Sequence, residues 1–111
     1  MKGTNLGEFE ELVMLTVGTL YPEAYGVSIK DEIRSQTGRK VTLSTVHAAL
    51  HRLENKGYLE SQLGDATGER GGKRKRLFTI TSNGVRALQD TRNWREKLWK
   101  SIPKIAFPGT T

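Results

Sequence analysis

Two groups of side chains in this 111-residue chain have the types and spacing to do chemistry. The first is His47-Ala48-Ala49-Leu50-His51 with Glu54 a turn further on. On a helix, histidines at i and i+4 share a face, and with a carboxylate they could converge on zinc. The helix of a metalloprotease carries its general base directly after the first His, and here that position is Ala48. The second group is Arg70, Lys73, Arg74, Lys75 and Arg76, five basic side chains within seven residues, beside Gly71 and Gly72. Such a run neutralises phosphates and releases counterions, which raises affinity for any duplex and makes it salt-sensitive. Its glycines let the backbone approach a groove closely. Against this stands the bland reading of a solvated, Gly- and Lys-rich hairpin tip. The histidines lie on the same helical surface as Ser44, Thr45, Ala48, Arg52 and Asn55, side chains suited to base edges and phosphates. Facing a polyanion is therefore favoured over metal binding. No Gly-rich phosphate loop follows a strand, and no spacing brings a Ser/His/Asp set together, so no enzyme, metal or cofactor is expected.

The bulk numbers agree with a polyanionic partner. Net charge is +6, with a sequence pI near 9.8. The sign is uneven: residues 1–24 hold only Lys2 against Glu8, Glu10, Glu11 and Glu23, so the basic excess lies in the remainder. The chain has no cysteine, which excludes disulfide and thiol chemistry and fits a reducing, cytoplasmic setting. No apolar run approaches membrane-spanning length and no signal-peptide core follows Met1, so no membrane association is expected.

Periodicity supplies the elements that position these groups. Leu6 to Leu20 reads as a helix, apolar over a wide arc through Leu6, Phe9, Leu12, Val13, Leu15, Val17 and Leu20. Its first turn carries Glu8, Glu10 and Glu11 where the dipole favours them. Pro22 breaks it. A second helix runs from about Tyr25 to Gln36, with Tyr25, Val27, Ile29 and Ile33 inward, and stops at Gly38. The third occupies Thr42 to Gly57, with Thr42 as N-cap and Val46, Ala49, Leu50 and Leu53 as its buried stripe. The period then changes to two: Tyr58 to Ile80 reads as a hairpin of two strands with a long Gly-rich tip. A last helix follows Thr81 or Ser82 and ends before Pro103. Three short helices and a hairpin placed as a wing predict a mainly α fold with a small β-hairpin, a winged helix-turn-helix. The expected division is a DNA-binding domain over 1–81, a dimerisation helix over 82–102 and a tail over 103–111 that is disordered unless docked.

Five segments in order and spacing resemble the PadR-like winged helix-turn-helix transcriptional regulators: Leu6-Gly7-Glu8-Phe9-Glu10, Tyr25-Gly26-Val27-Ser28-Ile29, Leu50 to Leu59, Gly68 to Arg76, and Leu77 to Thr81 with Gly84. The resemblance covers about residues 6–88 and rests on the series, not on any one motif. It implies a dimeric regulator of double-stranded DNA, often a repressor, with the third helix in the major groove and the wing on the backbone or minor groove. The short branch with a single C-terminal helix is the one it looks like. The DNA-binding set expected from this reading is Tyr25, Ser28, Lys30, Thr42, Ser44, Thr45, His47, Ala48, His51, Arg52, Arg70, Lys73, Arg74 and Arg76. One residue departs from the family pattern: members usually carry Tyr where this chain has His47, at a position that contacts phosphate or supports the third helix.

The last helix carries Val85, Leu88, Trp94, Leu98, Trp99 and Ile102, an apolar surface that a second copy of the helix would bury. Its heptad positions Leu88, Thr91, Arg95, Leu98 and Ile102 are too mixed for a long autonomous coiled coil. A homodimer is expected, with Leu88, Trp94, Leu98, Trp99 and Ile102 at the interface. In some short-branch relatives, aromatic side chains on this helix line an interface cavity for flat, cationic or hydrophobic effectors, and Trp94 is the better placed here. Ordinary packing of both indoles weighs more heavily. The rival to DNA binding is a winged-helix module for RNA or protein. A protein adaptor has no need of the basic tip, and the third helix lacks the exposed aromatics that stack on RNA bases.

Overall fold

The computed structural model describes residues 6–64 and 74–109. Three helices, α1 (Glu8–Leu20), α2 (Gly26–Thr37) and α3 (Leu43–Asn55), precede an antiparallel hairpin of β1 (Leu59–Leu63) and β2 (Arg76–Ile80). A long helix α4 (Ser82–Ser101) and one 3-10 turn (Lys104–Ala106) follow. This is the winged helix-turn-helix arrangement the periodicity predicts.

Local chemistry sets the ends of these elements. The Thr42 hydroxyl accepts the Thr45 N–H at 3.1 Å and starts α3, and the Thr81 hydroxyl accepts the Gly84 N–H at 3.0 Å and starts α4. Ser28 Oγ accepts the Tyr25 N–H at 2.9 Å, so the first turn of α2 is closed by its own third residue. Gly38 takes the left-handed conformation, φ 73°, that ends α2. α1 stops at Tyr21, before Pro22.

The core forms where the helices and hairpin meet. Val46, Ala49, Leu50 and Leu53 of α3 pack with Val13, Met14 and Val17 of α1, Ile29 and Ile33 of α2, and Leu59 and Phe78 of the hairpin. Met14 was not singled out by the periodicity of α1, yet it is among the largest fully buried side chains. Leu15 and Val27 show the opposite: Leu15 counts in the apolar arc of α1 and Val27 in the inner face of α2, and both are exposed. The buried stripe of α1 runs through Glu10, Val13, Met14 and Val17, and Leu15 lies off it. Val27 lies in the first turn of α2, on the rim of a cleft that His47, Lys75, Arg76 and Phe78 also line.

The hairpin is tied to the helices through its backbone. Phe78 N–H donates to the Ala24 carbonyl at 2.8 Å, Tyr58 N–H to Leu53 at 3.0 Å, and Thr81 N–H to Tyr58 at 3.1 Å. Leu59 pairs with Ile80 and Leu63 with Arg76, so Phe78 faces the core from the middle of its strand. α4 crosses this base at Gly84, Ala87 and Thr91, which are buried. Thr91, read from the heptads as part of a seam for a second copy, therefore faces its own subunit. Its hydroxyl has no hydrogen-bond partner among the described residues.

Ion pairs from the acidic first turns of α1 brace the helices. Glu8 accepts two bonds from Arg39 Nη1, at 2.8 and 3.0 Å. Glu11 pairs with Arg95 of α4 at 2.8 Å. Glu10 is buried and accepts from Arg52 Nε at 3.0 Å, Lys56 Nζ at 2.7 Å and the Gly7 N–H at 2.9 Å. Burial by itself pushes the Glu10 carboxyl up, but the bonds from Lys56, Gly7 and Arg52 together outweigh it and hold the group below its ordinary value of 4.5.

Two consequences are measurable. A side chain at Gly84 would collide with the Tyr58 carbonyl oxygen and with Ile80 Cγ2. Gly84→Ala should lower stability by about 1–3 kcal/mol in urea unfolding, because α4 must shift off the hairpin base. A folded-state pKa below the unfolded one means that Glu10 stabilises the fold above pH 4.5 and that this contribution fades as pH falls through the depressed value. Glu10→Gln should therefore cost about 1–3 kcal/mol at pH 7. It should also give a shallower decline in stability below pH 4.5 than the unaltered protein, and an equally steep decline would place the acid sensitivity elsewhere.

Candidate nucleic-acid interface

Because the inner stripe of α3 is fixed by the core, the rest of its circumference divides into three strips. The outermost runs Ser44, Ala48, His51 and Asn55, spaced i, i+4, i+7 and i+11, and all four are exposed. It has no carboxylate and offers a hydroxyl, a methyl, an imidazole and an amide. That is a set able to donate, accept and make apolar contact at base edges. Asn55 belongs to it although it lay outside the expected set; its i+11 spacing from Ser44 was the available signal.

The strip facing α1 carries Thr45 and Arg52. Thr45 is held in the cap, with its hydroxyl 2.7 Å from that of Thr42, and Ser44 Oγ lies 3.2 Å from the same oxygen. Arg52 remains half exposed but directs Nε to Glu10. An arginine drawn aside by a buried carboxylate is less available to a base than the sequence alone suggests, and it braces α3 against α1.

The strip facing the hairpin carries His47 and Glu54. Glu54 accepts the Ser61 hydroxyl at 2.7 Å, and Ser61 accepts Arg76 Nη1 at 3.1 Å. His47 and Glu54 are thus directed to separate neighbours, and among the described residues no group of His, Cys, Asp and Glu has a metal-binding arrangement. The His47 ring lies against the backbone of Gly26: a Cβ there would fall 2.8 Å from Cε1 and 3.0 Å from Nε2. Absence of that Cβ is what lets α2 and α3 approach this closely.

His47 also borders a cleft of about 350 Å³ between α2, α3 and the wing, with Tyr25, Val27, Lys75, Arg76 and Phe78 on its other sides. Lys75 Nζ sits 4.3 Å from the centre of the Tyr25 ring and 3.3 Å from its hydroxyl. Lys75 was counted in the basic run but not among the expected contacts, and its pairing with a residue 50 positions away leaves no trace in composition. Arg74 Nε donates to the Gly64 carbonyl at 2.8 Å, which fixes the base of the wing. Ser28 is consumed by helix capping, also donating to the Glu23 carbonyl at 2.8 Å, and Lys30 Nζ lies 3.4 Å from Asp31. Arg70 and Lys73 lie outside the described residues.

The remaining expected site residues lie on α4. Leu88 is partly buried against the core, whereas Trp94, Leu98, Trp99 and Ile102 are exposed. Leu15 and Val85 add to this apolar surface beside a cleft of about 420 Å³ that Glu11, Arg92 and Arg95 also line. Arg95 spans the gap, bonded to Glu11 and stacked 5.3 Å from the Trp94 ring. Past Pro103 the chain docks back on α4, with the Phe107 ring 5.7 Å from that of Trp99. Among the described residues, no helix is long and apolar enough to cross a membrane.

Comparison with known proteins places this geometry. The sequence profile of the Transcriptional regulator PadR-like family matches residues 20–90. An uncharacterised protein of Lysinibacillus sphaericus is 31% identical over 93 residues, covering 81% of each chain. A PadR family transcriptional regulator from Eggerthella lenta superposes with a TM-score of 0.68 at 24% identity, over 92% of this chain and 88% of that one. A complex structure of hsRosR-SG gives 0.73 at 24% identity, over 92% and 83%. The profile match spans well over half of the chain, and the winged helix-turn-helix architecture is common to these structures. The chain belongs to the PadR-like family of transcriptional regulators.

Proposed function

We propose that the protein is a sequence-specific regulator of double-stranded DNA that acts as a homodimer and represses by occupying its operator. The observation that carries this reading is the exposed, carboxylate-free strip Ser44–Ala48–His51–Asn55, flanked by the cations of the wing. An α-helix fits the major groove of B-DNA, and residues in its N-terminal part reach base edges first. Ser44, Ala48 and His51 are then the discriminating positions. Thr42 and Thr45 stand at the edge of the groove, and Arg52 acts mainly by holding α3 in place. Tyr25, Lys75, Arg74 and Arg76, with Arg70 and Lys73, supply sequence-independent affinity to phosphates.

Dimerisation through α4 follows from area. Leu98, Trp99 and Ile102 present apolar surface on the C-terminal half of the helix, beyond the turns where Gly84, Ala87 and Thr91 are buried against their own subunit. Burying it against a second copy sets two α3 helices on two half-sites, roughly 34 Å apart in B-DNA if they are one helical turn distant. Trp94 and Trp99 pack in that interface. An effector, where there is one, is a flat, cationic or hydrophobic compound that binds there beside Trp94.

The direct test is a salt titration with the DNA upstream of the protein's own gene and a scrambled duplex of equal length. Affinity for both should fall by orders of magnitude between low and moderate salt, with the upstream sequence bound more tightly throughout. Replacing Arg74, Lys75 and Arg76 with Ala should weaken binding to both duplexes alike and flatten the slope. His51→Ala should cost about 1–3 kcal/mol on the upstream sequence and little on the scrambled one. Equal affinity for both duplexes, or no duplex binding, contradicts the reading. Leu98→Lys should sediment as a folded monomer, and a persistent dimer would move the interface off α4.

A further inference from the structure

Among the described residues the wing has three cations, and each is tethered differently. Arg74 Nε donates to the Gly64 carbonyl within the hairpin, and Lys75 rests on the Tyr25 ring and hydroxyl. Arg76 is the one whose tether leads to α3. Its Nη1 donates to Ser61 Oγ at 3.1 Å, and the Ser61 hydroxyl donates to Glu54 Oε2 at 2.7 Å. The far end sets the direction of this relay. A carboxylate only accepts, so the single hydroxyl proton of Ser61 is committed to Glu54 and its lone pairs are left for the guanidinium. Strand register makes the span possible. Ser61 pairs with Phe78 and Leu63 with Arg76, so Ser61 and Arg76 are diagonal neighbours on one face of the hairpin. Leu59 and Phe78 carry the base of that face into the core. Glu54 is the only acidic residue of α3. Its charge repels a duplex, and the metal that its spacing from the histidines suggests has no arrangement to bind it.

Resting on the DNA-binding reading above, we propose that Glu54 and Ser61 are positioning residues. Through Arg76 they fix the wing's phosphate contact relative to the bases that α3 reads, and so add to sequence discrimination without touching the duplex. Phosphate contacts set the register and orientation of a protein on DNA. A guanidinium held at one N–H arrives oriented, and the remaining N–H groups of Arg76 have no partner among the described residues. Such a side chain loses little conformational freedom when it meets an anion. On the operator, base contacts dictate where α3 lies, and Arg76 must meet the phosphate that this placement offers. Elsewhere the complex is held by loose contacts driven by counterion release, which an ordered and a disordered arginine serve alike. The relay therefore favours the complex in which helix and wing are in register together.

Anisotropy with the upstream and scrambled duplexes at one salt concentration tests this. Ser61→Ala should weaken binding to the upstream duplex about threefold to tenfold, the range of one lost hydrogen bond, and leave the scrambled duplex within about twofold. Damage to the fold lowers both affinities in proportion and leaves their ratio alone, so the ratio separates positioning from damage. Ser61→Thr keeps the hydroxyl and should keep the ratio. Glu54→Gln keeps an oxygen that accepts from Ser61; it should keep the ratio while raising both affinities, because a repelling charge is gone. Glu54→Ala should lower the ratio. Adding Ser61→Ala to Arg76→Ala should change the ratio no further. A ratio that is unchanged in Ser61→Ala, that falls equally in Ser61→Thr, or that falls as far with Arg76 already replaced, overturns the proposal and leaves the DNA-binding reading intact. Equal binding of both duplexes by the unaltered protein overturns both.

Discussion

The rotation of α3 about its own axis is the constraint on which the rest depends. Val46, Ala49, Leu50 and Leu53 are all essentially inaccessible. A slip of one residue would turn the helix by about 100°, burying polar side chains and exposing these. The penalty is the transfer of several apolar side chains to water, on the order of 1.5–3 kcal/mol each, set against a domain stability of the same total order. The outer strip is therefore a consequence of the core. Its four residues face solvent because the opposite stripe cannot do so.

A second layer of control comes from charge. The first two turns of α1 collect Glu8, Glu10 and Glu11, which hold cations from different places: Glu8 holds Arg39 ahead of α3, Glu10 holds Arg52 on α3 and Lys56 just past its end, and Glu11 holds Arg95 on α4. Of these carboxylates only Glu10 is buried, so it contributes most, whereas the exposed pair of Glu8 and Arg39 is worth little. The acidic bias of the N-terminal residues and the basic excess elsewhere are thus partly one arrangement. Some of the positive charge is paired inside the fold, and the rest is shared among the wing, α2, the connector before α3 and the exposed side of α4.

How much of this was legible depended on the range of the interaction. Caps and breaks act over a few residues, and Thr42, Gly38, Pro22 and Thr81 could be read directly. The stripe of α3 could be read because its period is strict. Met14 is missed because α1 is apolar on too many sides for periodicity to choose one, and Val27, read as inward, is exposed in the first turn of α2. The state of Arg52 depends on a carboxylate 42 positions away, and that of Lys75 on a ring 50 positions away. Residue type announces that such side chains are charged, and only the fold decides whether the charge is turned inward or outward. Arg52 is therefore found bonded to Glu10, and Lys75 to Tyr25.

α1 touches both halves of the proposed activity. One turn of it offers Glu10 to α3 and the next residue, Glu11, to α4, so consecutive carboxylates on a single helix join the groove-facing element to the element that carries the exposed apolar surface. A carboxylate as buried as Glu10 tolerates little displacement without losing a partner, because each lost bond leaves a charged group desolvated. The Glu11–Arg95 pair is partly exposed and holds α4 to α1 more loosely than Glu10 holds α3. The Gly7 N–H bonded to Glu10 closes that end of the helix.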